Sequence, residues 1–349
     1  MRKQRRILLA RTDRLGDVVL TTPAIRELRR VFPDAFIAVM VRPYAGDIVK
    51  NDPHIDEVIL YDKNGAHSGF FQTLRFAFSL RKYRFDSAIS FHPNNRTHLI
   101  FFFSGIPERA GYDRNMPYLL TKKVPHDKQK GDMHEAEYNL DLLEKLGIPV
   151  SKDDLCPIMV TSRSEKELVD KIITEKGIKK RFVVFHAGAS CLSKIWSYEN
   201  FAEVAVRTRD EFGLDIVLIG SLETLSINEK IVSIVKKSVH DLAGVLSVGE
   251  TAELIRRSVL LISNDSGPVH IASAVGTPNV VIFGRKDPGL SPLRWGPLGK
   301  TDRVLHKDAG CIACLAHNCV KGFRCINSVT VQEVFDSAVH IISKHDTVS

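Results

Sequence analysis

Short apolar runs of strand type alternate with stretches of helical spacing along this chain. In the first part the runs are Arg6 to Ala10, Phe36 to Val41, Val58 to Tyr61 and Ser87 to Phe91. The first run leads into a loop, Arg11 to Asp17, and then into helical spacing at Val18, Thr22, Ile25, Leu28 and Val31. Pro23 falls inside that pattern, so the helix either starts at Gly16 and bends or restarts with Thr22 as cap and Pro23 in its first turn. A helix from about His134 to Leu146 ends at Gly147, and Ile148 to Pro157 reads as a linker with two prolines. The alternation then begins again. Helices are predicted over Glu165 to Lys176, Phe201 to Phe212, Ile227 to Val235 and Thr251 to Arg257, and strands over Phe182 to Phe185, Ile216 to Ile219, Val259 to Ser263 and Asn279 to Phe283. Two doubly wound α/β units, 1–157 and 158–349, account for this better than one large sheet, and 349 residues suit about two domains.

Composition narrows the class. Apolar residues make up 44% and charged residues 26%, ordinary for a globular protein. Met1 to Arg6 is a basic start, but only Ile7 to Ala10 follows before Arg11, too short for a signal-peptide core, so a cytoplasmic protein is expected. The net charge of +8 is uneven: residues 1–150 hold 24 Lys or Arg against 18 Asp or Glu. That excess suits an anionic partner. Nucleic acid is not expected, because no recognised module is present and aromatic residues are not interleaved with the basic ones.

In open sheets of this type ligands bind beyond the carboxyl ends of the strands, where the loops at Asp17, Ser190, Glu223 and Asp265 fall. Asp265-Ser266-Gly267-Pro268-Val269-His270 joins a strand to a helix that ends at Gly276. Asp265 or Ser266 can cap that helix, Pro268 suits its first turn, and Gly267 lets a ligand approach the backbone. Such a turn presents N–H groups and a positive dipole end to a phosphate, although a well-capped connection without a ligand reads the same way. Lys194 follows the turn Gly188-Ala189-Ser190 and can supply a full positive charge, while Ser197 can cap the next helix. Glu223 is a candidate for hydroxyls of a sugar or ribose, or a solvated helix start. His270 is a donor to phosphate or a satisfied buried imidazole. Asp17 is a helix cap or a general base, with Asp13 as the rival carboxylate. His92, Asn94 and Arg96 follow the strand ending at Phe91, and with Arg14 they are candidates for acceptor contacts. Cys311, Cys314, Cys319 and Cys325 have a spacing unlike paired CxxC ribbons, and free thiols are expected ahead of structural zinc.

Three segments together resemble the glycosyltransferases of family nine, whose best-known members are ADP-heptose:lipopolysaccharide heptosyltransferases. They are LGDVVLTTPAIRELRRVFP near the start, HAGAS with KIW in the middle, and NDSGPVHIASAVGTPNVVIFG later, and the tail CIACLAHNCVKGFRC is similar to a cysteine-bearing loop of the family. The resemblance implies a GT-B architecture of two facing Rossmann-like domains with parallel sheets, the amino-terminal one on the acceptor side and the carboxyl-terminal one holding the nucleotide-sugar donor. It implies inverting transfer without a catalytic metal or other cofactor. Asp17 would be the base, and Lys194 with Asp265, Ser266 and Gly267, and His270 close by, would hold the donor diphosphate. An ADP-sugar donor, a phosphorylated anionic core-lipid acceptor and peripheral contact at the inner face of the cytoplasmic membrane are the implied partners.

Three other functions share parts of this pattern. An NAD-dependent dehydrogenase needs three glycines after its first strand, where this chain has Gly16 alone. A GT-B sugar-nucleotide epimerase would convert the donor without an acceptor. A noncatalytic nucleotide or anionic-lipid binding protein would bind ADP and give no product.

Overall fold

In the computed structural model, which describes residues 4–346, the chain divides into two compact units, Met1–Val160 and Thr161–Ser349. Met1 to Lys3 of the basic start lie outside the described residues. The first unit holds β1 (Arg6–Ala10), β2 (Phe36–Val41), β3 (Glu57–Leu60), β4 (Ser87–Ser90), β5 (Glu108–Tyr112) and β6 (Lys122–Val124). They form one sheet in the order β3-β2-β1-β4-β5-β6, and every pairing is parallel. The second unit holds β7 (Phe182–His186), β8 (Asp215–Leu218), β9 (Val239–Asp241), β10 (Leu260–Asn264), β11 (Asn279–Phe283) and β12 (Arg303–His306). Their order is β12-β11-β10-β7-β8-β9, again all parallel.

Central strands of a parallel sheet are covered by helices on both faces and must be apolar throughout. β1, β7, β10 and β11 are apolar except at their ends and are buried almost end to end. Each unit has its own apolar core: Leu8, Ala10, Ile59, Tyr61, Phe76 and Phe101 in the first, and Phe185, Trp196, Phe201, Ile216, Ile262 and Ile282 in the second. The outer strands β5, β6, β9 and β12 carry polar residues, and all but β5 are also short, so hydrophobic patterning does not reveal them. The helices Phe70–Ser79, Asn95–Phe103 and Val331–Asp346 are likewise additions to the predicted set.

Of the two readings around Pro23, the restart is what forms. Helix Leu15–Val19 stops, and helix Thr22–Val31 begins with Pro23 in its first turn, but the cap position is Thr21 and not the expected Thr22, which is already helical. The hydroxyls of Thr21 and Thr22 turn back to the carbonyls of Asp17 and Val19, satisfying the end of the first helix. Boxes at Ser162 with Glu165 and Ser247 with Glu250 start two helices of the second unit, and Ser197 caps a third.

Both sheets have the strand order 3-2-1-4-5-6 when counted within their own unit. In such an order the connections leave the first and fourth strands in opposite directions, which opens a crevice at their carboxyl ends. The crevice lies between β1 and β4 in the first unit and between β7 and β10 in the second.

Candidate functional site

At the first crevice, β1 runs directly into Arg11, and helix Leu15–Val19 carries Asp17 in its first turn. Asp17 is only 8% exposed. It is not a helix cap: the cap position is Arg14, an exposed residue, and no side chain closes that helix start. Instead the Asp17 carboxylate pairs with Nη2 of Arg11. The same guanidinium donates from Nε to Asp13 at 2.8 Å, from Nη2 to Glu135 at 3.1 Å and from Nη1 to Asn139 at 3.1 Å. Lys128 Nζ completes the cluster, 2.6 Å from the same Glu135 oxygen and 3.1 Å from Asn139 Oδ1.

Three carboxylates therefore share two cations. Burial, reinforced by the negative charge of Asp13 and only partly offset by Arg11, raises the Asp17 pKa to about 7. His92 Nδ1 lies 3.4 Å from Asp13 Oδ2, yet burial lowers its pKa to about 4, so at neutral pH it adds no third positive charge. A carboxylate whose pKa sits near neutrality, at the carboxyl end of the first strand, has the properties of a general base.

The other residues expected around it have structural duties as well. Asn94 caps helix Asn95–Phe103, accepting from the amides of Arg96 and Thr97. Arg96 donates to the carbonyls of Lys63 at 3.0 Å and Ser68 at 2.7 Å. With Lys63, Asn64, His92 and Asn115 they line a polar, basic cavity of about 490 Å³.

At the second crevice, β7 leads into the turn at Gly188. A Cβ there would stand 2.5 Å from Cγ2 of Thr224 and 3.1 Å from His186 Nε2, so only glycine fits. The segment beyond is pinned by Asn264 at the end of β10, which donates to the Ala187 carbonyl at 2.7 Å and accepts from the Trp196 amide at 3.1 Å. Trp196 is fully buried and donates to the Val329 carbonyl. Gly284, after β11, leaves no room for a Cβ against the Ser193 carbonyl. These contacts hold Lys194 with its Nζ 2.8 Å from Asp265 Oδ2, the oxygen that Arg285 Nη2 also reaches, at 2.7 Å. Arg285 is buried and has a left-handed backbone, φ 53°, an uncommon conformation for a non-glycine residue. Burial lowers the Lys194 pKa, and the Asp265 carboxylate pulls it back up.

Helix Gly267–Val275 starts at Ser266, but contrary to expectation neither Asp265 nor Ser266 caps it. The Asp265 carboxylate is held by the two cations. The Ser266 hydroxyl lies 3.0 Å from His186 Nδ1 and 3.0 Å from Ser263 Oγ. Burial keeps the His186 pKa down at about 4, so the imidazole is neutral. The helix start thus presents its backbone N–H groups and the positive dipole end beside two cations that share one carboxylate, a setting for an anion. Pro268 occupies the first turn, and His270 is buried in the same helix. Glu223 is exposed beyond β8, and Ser190 is exposed beyond β7.

Cys311, Cys314, Cys319 and Cys325 are free thiols, and among the described residues no three His, Cys, Asp or Glu side chains gather as a metal site. Sequence reasoning did not single out Arg11, Lys128, Glu135, Asn264 or Arg285. Arg11 and Arg285 had a legible signal, a basic residue just past the end of a central strand, and Asn264 directly precedes Asp265; Lys128 and Glu135 are brought in only by packing.

Residues 73–323 match glycosyltransferase family 9 (heptosyltransferase). Lipopolysaccharide heptosyltransferase 2 of Salmonella typhimurium is 25% identical, over 97% of this chain and 99% of that protein. The Escherichia coli K12 protein of the same name is 26% identical over 87% and 89%. The fold is shared with a family 9 glycosyltransferase from Veillonella parvula, with TM-score 0.87, 23% identity and 99% of both chains covered. It is also shared with E. coli ADP-heptose lps heptosyltransferase II, with TM-score 0.79, 22% identity, and 98% and 100% covered.

Proposed function

The chain belongs to glycosyltransferase family 9, and from that premise we propose that it moves a heptose or related sugar from an ADP-sugar to the inner core of lipopolysaccharide, inverting the anomeric centre without a metal. The observation that carries this reading is the opposite chemistry of the two equivalent crevices. One holds a buried carboxylate with a pKa of about 7, Asp17. The other holds Lys194 and Arg285 on Asp265 beside an uncapped helix start.

In the proposed reaction an acceptor hydroxyl oxygen attacks the anomeric carbon while the bond from that carbon to the β-phosphate oxygen breaks. Asp17 takes the hydroxyl proton, and ADP leaves with the bonding electron pair. Lys194, Arg285 and the amides at Gly267 stabilise the negative charge that grows on the diphosphate, a task for which these side chains substitute for a metal ion. Ser266 and His270 belong to the same diphosphate site, Gly188 and Ser190 form its opposite turn, and Glu223 takes donor hydroxyls. The basic cavity at Lys63, His92, Asn94 and Arg96, with the exposed Arg14, suits the phosphates and carboxylates of a core lipid. Peripheral contact with the membrane carrying that lipid follows from the same reading.

The test is a panel of ADP- and UDP-sugars with purified protein, with and without core-lipid acceptor, in chelator. ADP release that requires acceptor, and an inverted linkage by NMR, are expected. Conversion of the sugar nucleotide without acceptor would mean an epimerase, and ADP binding without product a noncatalytic protein.

A further inference from the structure

Helix Phe70–Ser79 is apolar on two sides. Its inner side, Thr73, Phe76 and Ala77, is buried against the first unit's core. Its outer side leaves Phe71 80% and Phe78 47% exposed, and Phe70 at the helix start is 57% exposed. Helix Asn95–Phe103 lies beside it and extends the same surface with Phe102 and Phe103. The rings are neighbours: Phe70 and Phe71 stand 5.7 Å apart, Phe78 and Phe103 6.3 Å, and Phe102 and Phe103 5.3 Å. A surface helix ordinarily turns polar residues outward, so a cluster of exposed phenylalanines calls for a partner.

The charges around it say which. Residues 63–107 contain Lys63, Arg75, Arg81, Lys82, Arg84 and Arg96 and a single acid, Asp86, whose carboxylate accepts from the Arg6 amide. This segment therefore supplies most of the positive excess of the first 150 residues. Arg75, Arg81, Lys82 and Arg84 are exposed. The Arg81 guanidinium lies 4.5 Å from the centre of the Phe78 ring and donates to the Phe103 carbonyl, which ties the basic rim to the aromatic surface. Aromatic side chains that can enter the acyl boundary, set in a segment with six Lys or Arg and one acid, match an anionic bilayer surface. A second copy of the chain would set the same cations against each other.

We infer that the outer face of Phe70–Ser79, with Phe102, is the surface by which this protein lies on a membrane bearing anionic lipids. The inference rests on the proposed lipid-linked acceptor. Arg96, which lines the cavity proposed for that acceptor, donates to the carbonyl of Ser68, two residues before Phe70.

The experiment compares the full chain with the triple variant Phe71→Ser, Phe78→Ser, Phe102→Ser and with Arg75→Gln, Lys82→Gln. Each is sedimented with vesicles of phosphatidylethanolamine plus phosphatidylglycerol and with vesicles of phosphatidylcholine alone. The parent chain should bind the anionic vesicles, and each variant should lose at least about tenfold in partition. Because Phe78 and Phe102 are half-buried against Phe103, the triple variant should melt somewhat lower but still cooperatively and above the assay temperature, whereas Arg75→Gln, Lys82→Gln, at exposed positions, should melt with the parent. Transfer to a delipidated, soluble core acceptor should persist in the variants and fall only with vesicle-embedded acceptor, which separates failure of this inference from failure of the proposed reaction. Equal vesicle binding by parent and triple variant would overturn it. So would a parent that ignores vesicles but forms a dimer which the variant lacks.

Discussion

Lys194 and Arg285 meet at one oxygen: Asp265 Oδ2 lies 2.8 Å from the first and 2.7 Å from the second. One carboxylate cannot neutralise two cations, so the pocket keeps a positive excess for an anion. Removing Lys194 leaves a balanced Arg285–Asp265 pair. A unit charge at 4 Å is worth about 4 kcal/mol at an effective dielectric of 20, and the remaining Arg285 moderates the loss. Lys194→Gln should weaken ADP binding by about 10- to 100-fold in calorimetry. Unchanged affinity would remove Lys194 from the diphosphate site.

Asp17 belongs to the other crevice, so its loss should separate chemistry from nucleotide binding. Asp17→Ala is expected to cut transfer by about 10²- to 10⁴-fold, the usual reach of a general base. ADP affinity should stay near that of the parent. Retained transfer, or lost ADP binding, would sink the assignment.

The raised pKa of Asp17 has consequences of known sign. Between its ordinary value of 3.8 and about 7, the folded protein holds a proton that the unfolded chain has released. Stability contributed by this group is therefore present at low pH and lost as pH rises through about 7. Asp17→Asn should raise the thermal midpoint above pH 7, and the gain should vanish toward pH 4. In the parent, kcat/KM should climb with pH to a midpoint of about 7. A thermal difference that is constant across pH would contradict the shift.

Arg11 holds three carboxylates, and its side chain is only 3% exposed. Arg11→Met leaves them with Lys128 alone and should destabilise the fold by about 3–5 kcal/mol in denaturant titration. Arg11→Lys keeps the charge but not the forked geometry. It should recover part of the stability, with the kcat/KM midpoint moved to higher pH. A neutral effect of Arg11→Met would mean the cluster is not held together as described.

Gly188 is required by what stands beside it. Gly188→Ala drives a methyl into Thr224 and should cost about 1–3 kcal/mol and weaken ADP binding. Thr224→Ser deletes the obstructing Cγ2 while keeping the hydroxyl bonded to the Ser221 carbonyl. The double variant should recover much of both losses; no recovery would place the cost elsewhere.

Hydrophobic period alone determined the alternating plan, because central parallel strands and their covering helices must be apolar at fixed spacings. β1, β2 and β11 were legible to the residue, Asp17 and Asp265 could be placed in loops beyond strand ends, and Lys194 after the turn at Gly188. The polar outer strands were not legible, since they are stabilised by pairing with neighbours and not by their own side chains. Tertiary structure decided two further things. Strand order put the ends of β1 and β4, and of β7 and β10, side by side, which no local pattern specifies. Packing then brought Glu135 and Lys128 to Arg11, and Arg285 to Asp265, from more than a hundred and about twenty residues away respectively. The charge balance at each crevice depends on these distant groups, so the Asp17 pKa and the paired cations on Asp265 exist only in the folded chain.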